Sequence, residues 1–357
     1  MKICLFSDLH AHPYSNGRVL EHGTNSRVVD ATNVIEQVYG HAKEIGAKWV
    51  LFGGDLFDRR KSIDVDTYNR VHQTIVMSSM RMPTILVAGN HDQANRSGTI
   101  HSLECFESER CYVSGEPICW DLGDSPSGRV RMLSVPYYDD GNVIAKHVEK
   151  GIAEMPDNTG KRILLIHYGI QGAKIGPGDY VLPCELNLPM LQPDKWDIIF
   201  SGHYHIGQQI GPNFHYIGSA MQHRWDDAGF DKSFIVYDTE TGTIERVPTK
   251  APKFVVVDSS LNSEIENCFV RIIIDDDISD DEKEECSSRA LEGGALSVEF
   301  KLQPKDFEAQ KERIEFSEER GFYGIVEDYV NSDVVDKHGM NTDELISMGK
   351  DIIKRAI

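Results

Sequence analysis

The chain has 357 residues, 40% of them hydrophobic and 26% charged, which suits a globular protein with one large domain and one or two small ones. Its net charge of −20 is uneven: residues 1–250 carry 24 Lys+Arg against 31 Asp+Glu, and residues 251–357 carry 13 against 26. That balance argues against a stand-alone nucleic-acid binder, and no stretch reaches the roughly 18 apolar residues of a membrane span.

The first predicted element is the strand Lys2–Phe6, ending at Ser7-Asp8-Leu9-His10, whose polar residues cut the apolar run too early for a secretory leader. On an extended segment Asp8 and His10, two apart, would point the same way. A helix is expected from Ser26 to Ile45, then a buried strand over 48–52 that delivers Gly53-Gly54-Asp55-Leu56-Phe57-Asp58. A second helix is expected from Asp64 to Met80, broken by Met82-Pro83, and a strand over 84–87 that delivers Gly89-Asn90-His91-Asp92. This strand–turn–helix alternation marks an α/β architecture.

Residues 110–136 read as β, with Gly123–Gly128 as a hairpin connection, and Asn142–Glu154 as a helix. The strand 162–166 delivers His167, and a loop rich in Gly172, Gly176, Pro177, Gly178 and Pro183 follows. The strand 197–200 delivers Ser201-Gly202-His203-Tyr204-His205, and strands over 214–217, 233–238 and 243–247 complete the domain. Pro248–Pro252 marks a boundary. Beyond it strands near 254–257, 269–274 and 295–300 and a polar helix near 279–292 form a small α+β unit. After Pro304 helices are expected, with apolar stripes at Phe322, Ile325, Val326, Tyr329, Val330 and at Leu345, Ile346, Ile352, Ile353. The seven cysteines show no Cys-x-x-Cys spacing and read as reduced thiols.

The strand ends collect Asp8, His10, Asp55, Asn90, His167, His203 and His205, an oxygen and nitrogen donor set without thiolate. Such a set suits Mn²⁺, Fe²⁺ or Zn²⁺. Seven donors are too many for one ion but fit two if Asp55 is shared. Two ions roughly 3.5–4 Å apart can hold a hydroxide between them and clamp both oxygens of an in-line phosphoryl displacement. Singly, Asp-x-His, Gly-Asp or His-x-His says little, and one His after an apolar strand is more often an ordinary hydrogen-bonded residue. Their joint occurrence at five strand ends points to phosphoester hydrolysis.

The ordered motifs D-L-H (8–10), G-G-D-L-F-D (53–58), G-N-H-D (89–92), H-Y-G (167–169) and G-H-Y-H (202–205) resemble those of the calcineurin-like metallophosphoesterase superfamily. The G-D-L-F-D-R-R form, the GNHD and the stretch I-G-S-A-M-Q (217–222) are similar to the SbcD-type nuclease subunits of double-strand-break repair, including phage recombination endonucleases. The resemblance implies a four-layer α/β/β/α sandwich over residues 1–250, an α+β capping domain over 251–304 that shapes DNA access, and C-terminal helices over 305–357. It implies one metal held by Asp8, His10, Asp55 and His205, and a second held by Asp55, Asn90, His167 and His203. His91 would be the proton donor to the leaving oxygen, with Asp58 and Asp92 behind the ligands. The implied cofactors are two divalent ions, Mn²⁺ or else Mg²⁺.

The implied activity is DNA exo/endonuclease action, with Arg59 and Arg60 contacting the DNA backbone. The implied partners are DNA, an SbcC-type coiled-coil ABC ATPase that the C-terminal helices dock on, and a second copy; helices in segment 64–80 or 98–108 are candidates for the dimer face. A cytoplasmic setting, bacterial or phage-infected, goes with it. The D-x-H-L-G opening of that family is D-L-H-A-H here, which leaves His12 unplaced. Two other readings stand beside it: a small-molecule or nucleotide phosphodiesterase of the same superfamily, and a metal-free scaffold.

Overall fold

The computed structural model describes residues 1–95, 97–156, 160–176, 186–274, 278–302, 330 and 341–356. The chain divides into two compact units, Met1–Leu302 and Gln303–Ile357.

In the first unit, period-2 patterning sorts side chains between two packed sheets. β1 (Lys2–Phe6) turns Ile3 and Leu5 toward the second sheet and Cys4 and Phe6 toward the helices, so both faces are buried. One six-stranded sheet runs β12-β11-β1-β2-β3-β4, with β2 at Trp49–Phe52, β3 at Thr84–Val87, β4 at Cys111–Ser114, β11 at Ser233–Asp238 and β12 at Ile244–Pro248. The other runs β5-β6-β7-β8-β10-β9, with β5 at Ile118–Ser125, β6 at Gly128–Val135, β7 at Lys161–His167, β8 at Ile198–Gly202, β9 at Gln208–Ile210 and β10 at Phe214–Tyr216. β1, β2, β3 and β4 pair in parallel, as do β6, β7, β8 and β10. Parallel pairing brings the carboxyl ends of β1, β2, β3, β7 and β8 to one edge, where ligands bind in α/β sheets.

Helices cover the outer faces. α1 (Ser26–Glu44) and α2 (Val65–Ser79) bury Val34, Ile35, Val38, Val71 and Ile75 on the first sheet, and α3 (Gly141–Glu154) buries Ile144 and Val148 on the second. The result is a four-layer α/β/β/α sandwich. Asn25 and Asp64 cap the starts of α1 and α2, accepting from the Arg27 and Thr67 amides.

Past Pro252 a three-stranded parallel sheet, β13 (Lys253–Asp258), β14 (Cys268–Ile274) and β15 (Ser297–Leu302), packs on α4 (Asp280–Glu292) around Val270, Ile272 and Ala290. Its other face meets the sandwich. The buried Arg27 lies 5.0 Å from the Phe269 ring and donates to the Gln222 carbonyl, Gln222 Oε1 accepts from the Phe254 amide at 2.6 Å, and Arg271 stacks 4.0 Å over Trp225. In the second unit α5 spans Thr342–Ala356.

Two expectations need correction, and one strand was not expected. Gly123 lies inside β5 at a register shift with φ 102°, and the connection is the two-residue turn Pro126-Ser127, because the pairing continues to Ser125↔Gly128. The segment 98–108 holds only the 3₁₀ turn Glu104–Phe106, too short to present a helical face. The strand β9 carries no apolar alternation that would announce it. The stripe at Phe322, Ile325, Val326 and Tyr329, residues Pro177, Gly178 and Pro183, and most of segment 305–340 lie outside the described residues.

Candidate active site

Asp8 and His10 do not sit on an extended segment. Both have left-handed backbone, φ 51° and 44°, so the alternation argument fails for them. The loop after β1 instead runs alongside the loop after β2: the amides of Asp8, His10 and Ala11 donate to the carbonyls of Gly54, Asp55 and Leu56 at 2.9, 3.0 and 2.8 Å. Asp55 and His203 are left-handed too, φ 61° and 89°. Non-glycine residues avoid this region, and clusters of them mark functional sites held by their surroundings.

Those surroundings are specific. Asp92 Oδ2 accepts from the Asp55 and Gly89 amides at 2.8 and 2.9 Å, and its Oδ1 accepts from the Leu56 amide at 2.9 Å. Asp92 therefore ties the end of β2 to the end of β3. The loops also need close backbone approach: a Cβ on Gly54, itself at φ 104°, would lie 2.2 Å from His167 Nδ1, and one on Gly89 would lie 2.2 Å from Asp55 Oδ1.

All seven strand-end residues converge. Asp55 Oδ2 is 3.3 Å from His167 Nε2 and 3.6 Å from His10 Nε2. Around it, Asn90 Oδ1 is 3.1 Å from His167 Nε2 and 2.9 Å from His203 Nδ1, and His205 Nε2 faces His10 Nε2 at 3.1 Å. Donor atoms of Asp8, His10 and His205 lie within 4.8 Å of one another, as do those of Asp8, Asp55 and His167, and of His10, Asp55 and His91. His167 Nδ1 bonds the Gly53 carbonyl at 2.7 Å, which makes Nδ1 the protonated nitrogen and turns the Nε2 lone pair inward. His91 is built likewise: its Nδ1 bonds the Asp58 carbonyl at 2.6 Å, and its amide donates to Asp55 Oδ1 at 2.7 Å.

The charges are poised against one another. Burial would raise the Asp55 carboxyl, yet the adjacent imidazole of His167 holds it well below the usual carboxylate range. His167 answers in the opposite sense: burial would lower it, but the Asp55 carboxylate raises it to about 9. Burial raises Asp8, and lowers His10, His205 and, to about 3, His203. The lowered imidazoles of His10, His203 and His205 are in the neutral form that binds a divalent cation, and an ion at the site would displace the proton that Asp55 holds on His167.

Further residues join that the sequence did not single out. His223, buried, bonds the Asp8 carbonyl at 3.0 Å through Nε2, and its ring stands 5.2 Å from His10 and 5.4 Å from His205. Its position directly after the I-G-S-A-M-Q stretch was the available signal. Asp227 accepts from the His223 amide at 2.9 Å and pairs with Lys232 at 2.6 Å, and Lys232 Nζ donates to the His205 carbonyl at 3.1 Å. Tyr14 donates to the His10 carbonyl at 3.0 Å and Asp58 Oδ1 at 3.3 Å. His12 packs edge-on against Tyr14 at 5.1 Å, Arg59 pairs with Asp58 at 3.4 Å, and Arg60 and Lys61 are exposed.

A sequence model of the family described as calcineurin-like phosphoesterase matches residues 1–207, which end two residues past His205. A protein of Invertebrate iridescent virus 3 named as a phosphoesterase, 078R, is 27% identical over 175 residues, 49% of this chain and 48% of that protein, so the match spans about half the relative's length. Among solved structures, a dimetal phosphatase from Danio rerio is 10% identical, covering 66% of this chain and 91% of that one at a TM-score of 0.42. The phosphoesterase YfkN of Bacillus subtilis is 14% identical, covering 70% and 88% at a TM-score of 0.38. Likenesses at that level carry no weight on substrate.

Proposed function

The chain belongs to the calcineurin-like phosphoesterase family, and we propose that within it this protein is a two-metal phosphodiesterase that cleaves DNA. The observation that carries the two-metal reading is the Asp55 carboxylate, with one oxygen 3.3 Å from His167 Nε2 and 3.6 Å from His10 Nε2. The residues fit the ions. His10 and His205 face each other nitrogen to nitrogen at 3.1 Å, where one proton or one cation can be shared, and Asn90 Oδ1 points at two imidazole nitrogens. Asp8, His10, Asp55 and His205 would hold one ion, and Asp55, Asn90, His167 and His203 the other. A pair of divalent ions supplies Lewis-acid activation of water and charge neutralisation at the phosphoryl oxygens.

The chain's own groups do the rest. With its Nδ1 proton committed to the Asp58 carbonyl, His91 in its imidazolium form has one proton left to give, on Nε2. That proton would go to the departing oxygen. Asp92 keeps Asp55 in its left-handed conformation, and the 222–232 segment fixes the carbonyls of Asp8 and His205.

DNA is the substrate favoured by the G-D-L-F-D-R-R and I-G-S-A-M-Q motifs, by exposed cations on Arg60 and Lys61 beside the site, and by the β13–β15 sheet docked next to it. Mn²⁺ is the metal that the resemblance to SbcD-type nucleases favours among the Mn²⁺, Fe²⁺ and Zn²⁺ that the donor set admits. In the second unit α5 leaves Met348 and Ile352 exposed, an apolar stripe suited to the coiled coil of an SbcC-type ATPase. Pairing with a second copy belongs to the same reading.

The test is digestion of linear DNA and of bis(p-nitrophenyl) phosphate by the full chain with Mn²⁺, with and without such an ATPase. Cutting of both, abolished by Asp55→Asn and by His91→Leu, is expected. Hydrolysis of the small diester without any DNA cutting would return the protein to the small-molecule phosphodiesterases.

A further inference from the structure

On the His203 side of the site three rings lie nearly parallel. Tyr137 is 6.0 Å from His203 at 28°, Tyr168 is 6.4 Å from His203 at 14°, and the two tyrosines are 5.6 Å apart at 30°. Neither phenol supplies an atom to the converging donor set, and both side chains are only half-buried.

Both are held rigidly. Tyr137 follows β6, donates its amide to the Ala88 carbonyl at 3.0 Å and accepts Gln93 Nε2 on its own carbonyl at 2.7 Å. Tyr168 follows β7, where Ser201 Oγ bonds both its amide (3.3 Å) and its carbonyl (3.0 Å), and its hydroxyl donates to the Asp139 carbonyl at 3.4 Å. The two anchoring groups, on Ala88 and Ser201, sit at the strand ends that deliver Asn90 and His203. Arg60 is exposed on the loop after β2, the loop that also carries Asp55 and Asp58. Arg59, by contrast, is engaged by Asp58.

We propose that Tyr137 and Tyr168 form a stacking shelf for the nucleobase next to the scissile phosphate, with Arg60 meeting the flanking phosphate. This rests on the nucleic-acid reading above. A base is separated from its own phosphate by one sugar, so a phosphodiester placed at Asp55 and Asn90 carries its neighbouring base over the rings beside His203. Aromatic faces accept any base, which gives strand recognition without sequence preference. A base still paired within a duplex cannot lie on the shelf, so the enzyme takes single-stranded or frayed ends in preference to closed duplex.

The experiment compares two single-stranded oligonucleotides, one intact and one with abasic residues at the last three positions of each end. Binding is followed by fluorescence anisotropy with Mn²⁺ in the His91→Leu background, where the DNA is not consumed. The intact strand is expected to bind about tenfold more tightly, the size of one base–aromatic stack. Adding Tyr137→Ala and Tyr168→Ala should bring the ratio of the two affinities close to one, and Tyr137→Phe with Tyr168→Phe should keep it. Because the ratio is taken within one protein, general damage to the site cancels. A ratio unchanged in the Ala pair, or no preference before substitution, overturns the shelf. Failure to bind either strand overturns the nucleic-acid reading and the shelf with it.

Discussion

Replacing Asp92 by Asn should lower stability by about 2 kcal/mol and hydrolysis by about a hundredfold, although Asp92 supplies no atom to the converging donors. Its two oxygens accept three backbone amides, Asp55 and Gly89 on one oxygen and Leu56 on the other. Asparagine keeps one acceptor and puts an N–H₂ in place of the second. The cheaper orientation retains the pair from Asp55 and Gly89 and sets the Leu56 amide against a donor. Losing one bond to a charged acceptor costs roughly 1.5–3 kcal/mol, and the two that remain weaken to neutral ones, roughly half as strong. Removing a charge beside Asp55 gives part of this back, since burial and that neighbour push the Asp92 carboxyl up to about 7. The balance is about 2 kcal/mol. For a unit of 302 residues that is a fall in Tm of about 3 °C, measured by calorimetry beside phosphodiester turnover. Ser102→Ala removes only a 3.5 Å contact to Asp92 and should do neither. A Tm within 1 °C of the parent together with turnover within about twofold would show that Asp92 does not hold the two loops together.

Gly89→Ala places a Cβ 2.2 Å from Asp55 Oδ1 and 2.5 Å from its amide, so Asp55 must move. Loss of at least one bound metal with an unchanged circular-dichroism spectrum is expected, and full metal content would contradict it. Asp64 caps α2 through the Thr67 amide, whose bond holds the carboxyl below its ordinary range. A depressed acid stabilises above its unfolded pKa and loses that contribution as pH falls through the folded one. Asp64→Ala should therefore cost about 1 kcal/mol at pH 7, with the difference from the parent shrinking below about pH 4; a gap independent of pH would refute the cap. Chelation should lower Tm, by the equivalent of roughly 2.7 kcal/mol per site at a free metal concentration a hundred times Kd. No change on adding EDTA would mean that the donors bind no ion.

The strand ends were legible because their signal is local. An apolar run, a glycine and then Asp, Asn or His read the same way in the chain as in the fold, and Asp8, Asp55, Asn90, His167, His203 and His205 all arrive at one edge. What sequence could not carry is set by distant contacts. The left-handed backbone at Asp8 depends on the Gly54 carbonyl and on His223, which reaches it across 215 residues. Read as extended, the Asp8-Leu9-His10 segment gave a correct neighbourhood for a wrong reason. The Gly123–Gly128 connection failed because a glycine at a bulge and a glycine at a turn look alike until the partner strand is known. Arg27 is a charged residue at a helix start, and only the β13–β14 rings and the Gln222 carbonyl explain its burial.

The electron paramagnetic resonance spectrum of the full chain loaded with Mn²⁺ tests the shared role of Asp55 most directly. Two ions bridged by one carboxylate give an exchange-coupled spectrum at two equivalents, which Asp55→Asn converts to uncoupled signal with loss of turnover. A single uncoupled Mn²⁺ at saturation in the parent protein would contradict the dinuclear site.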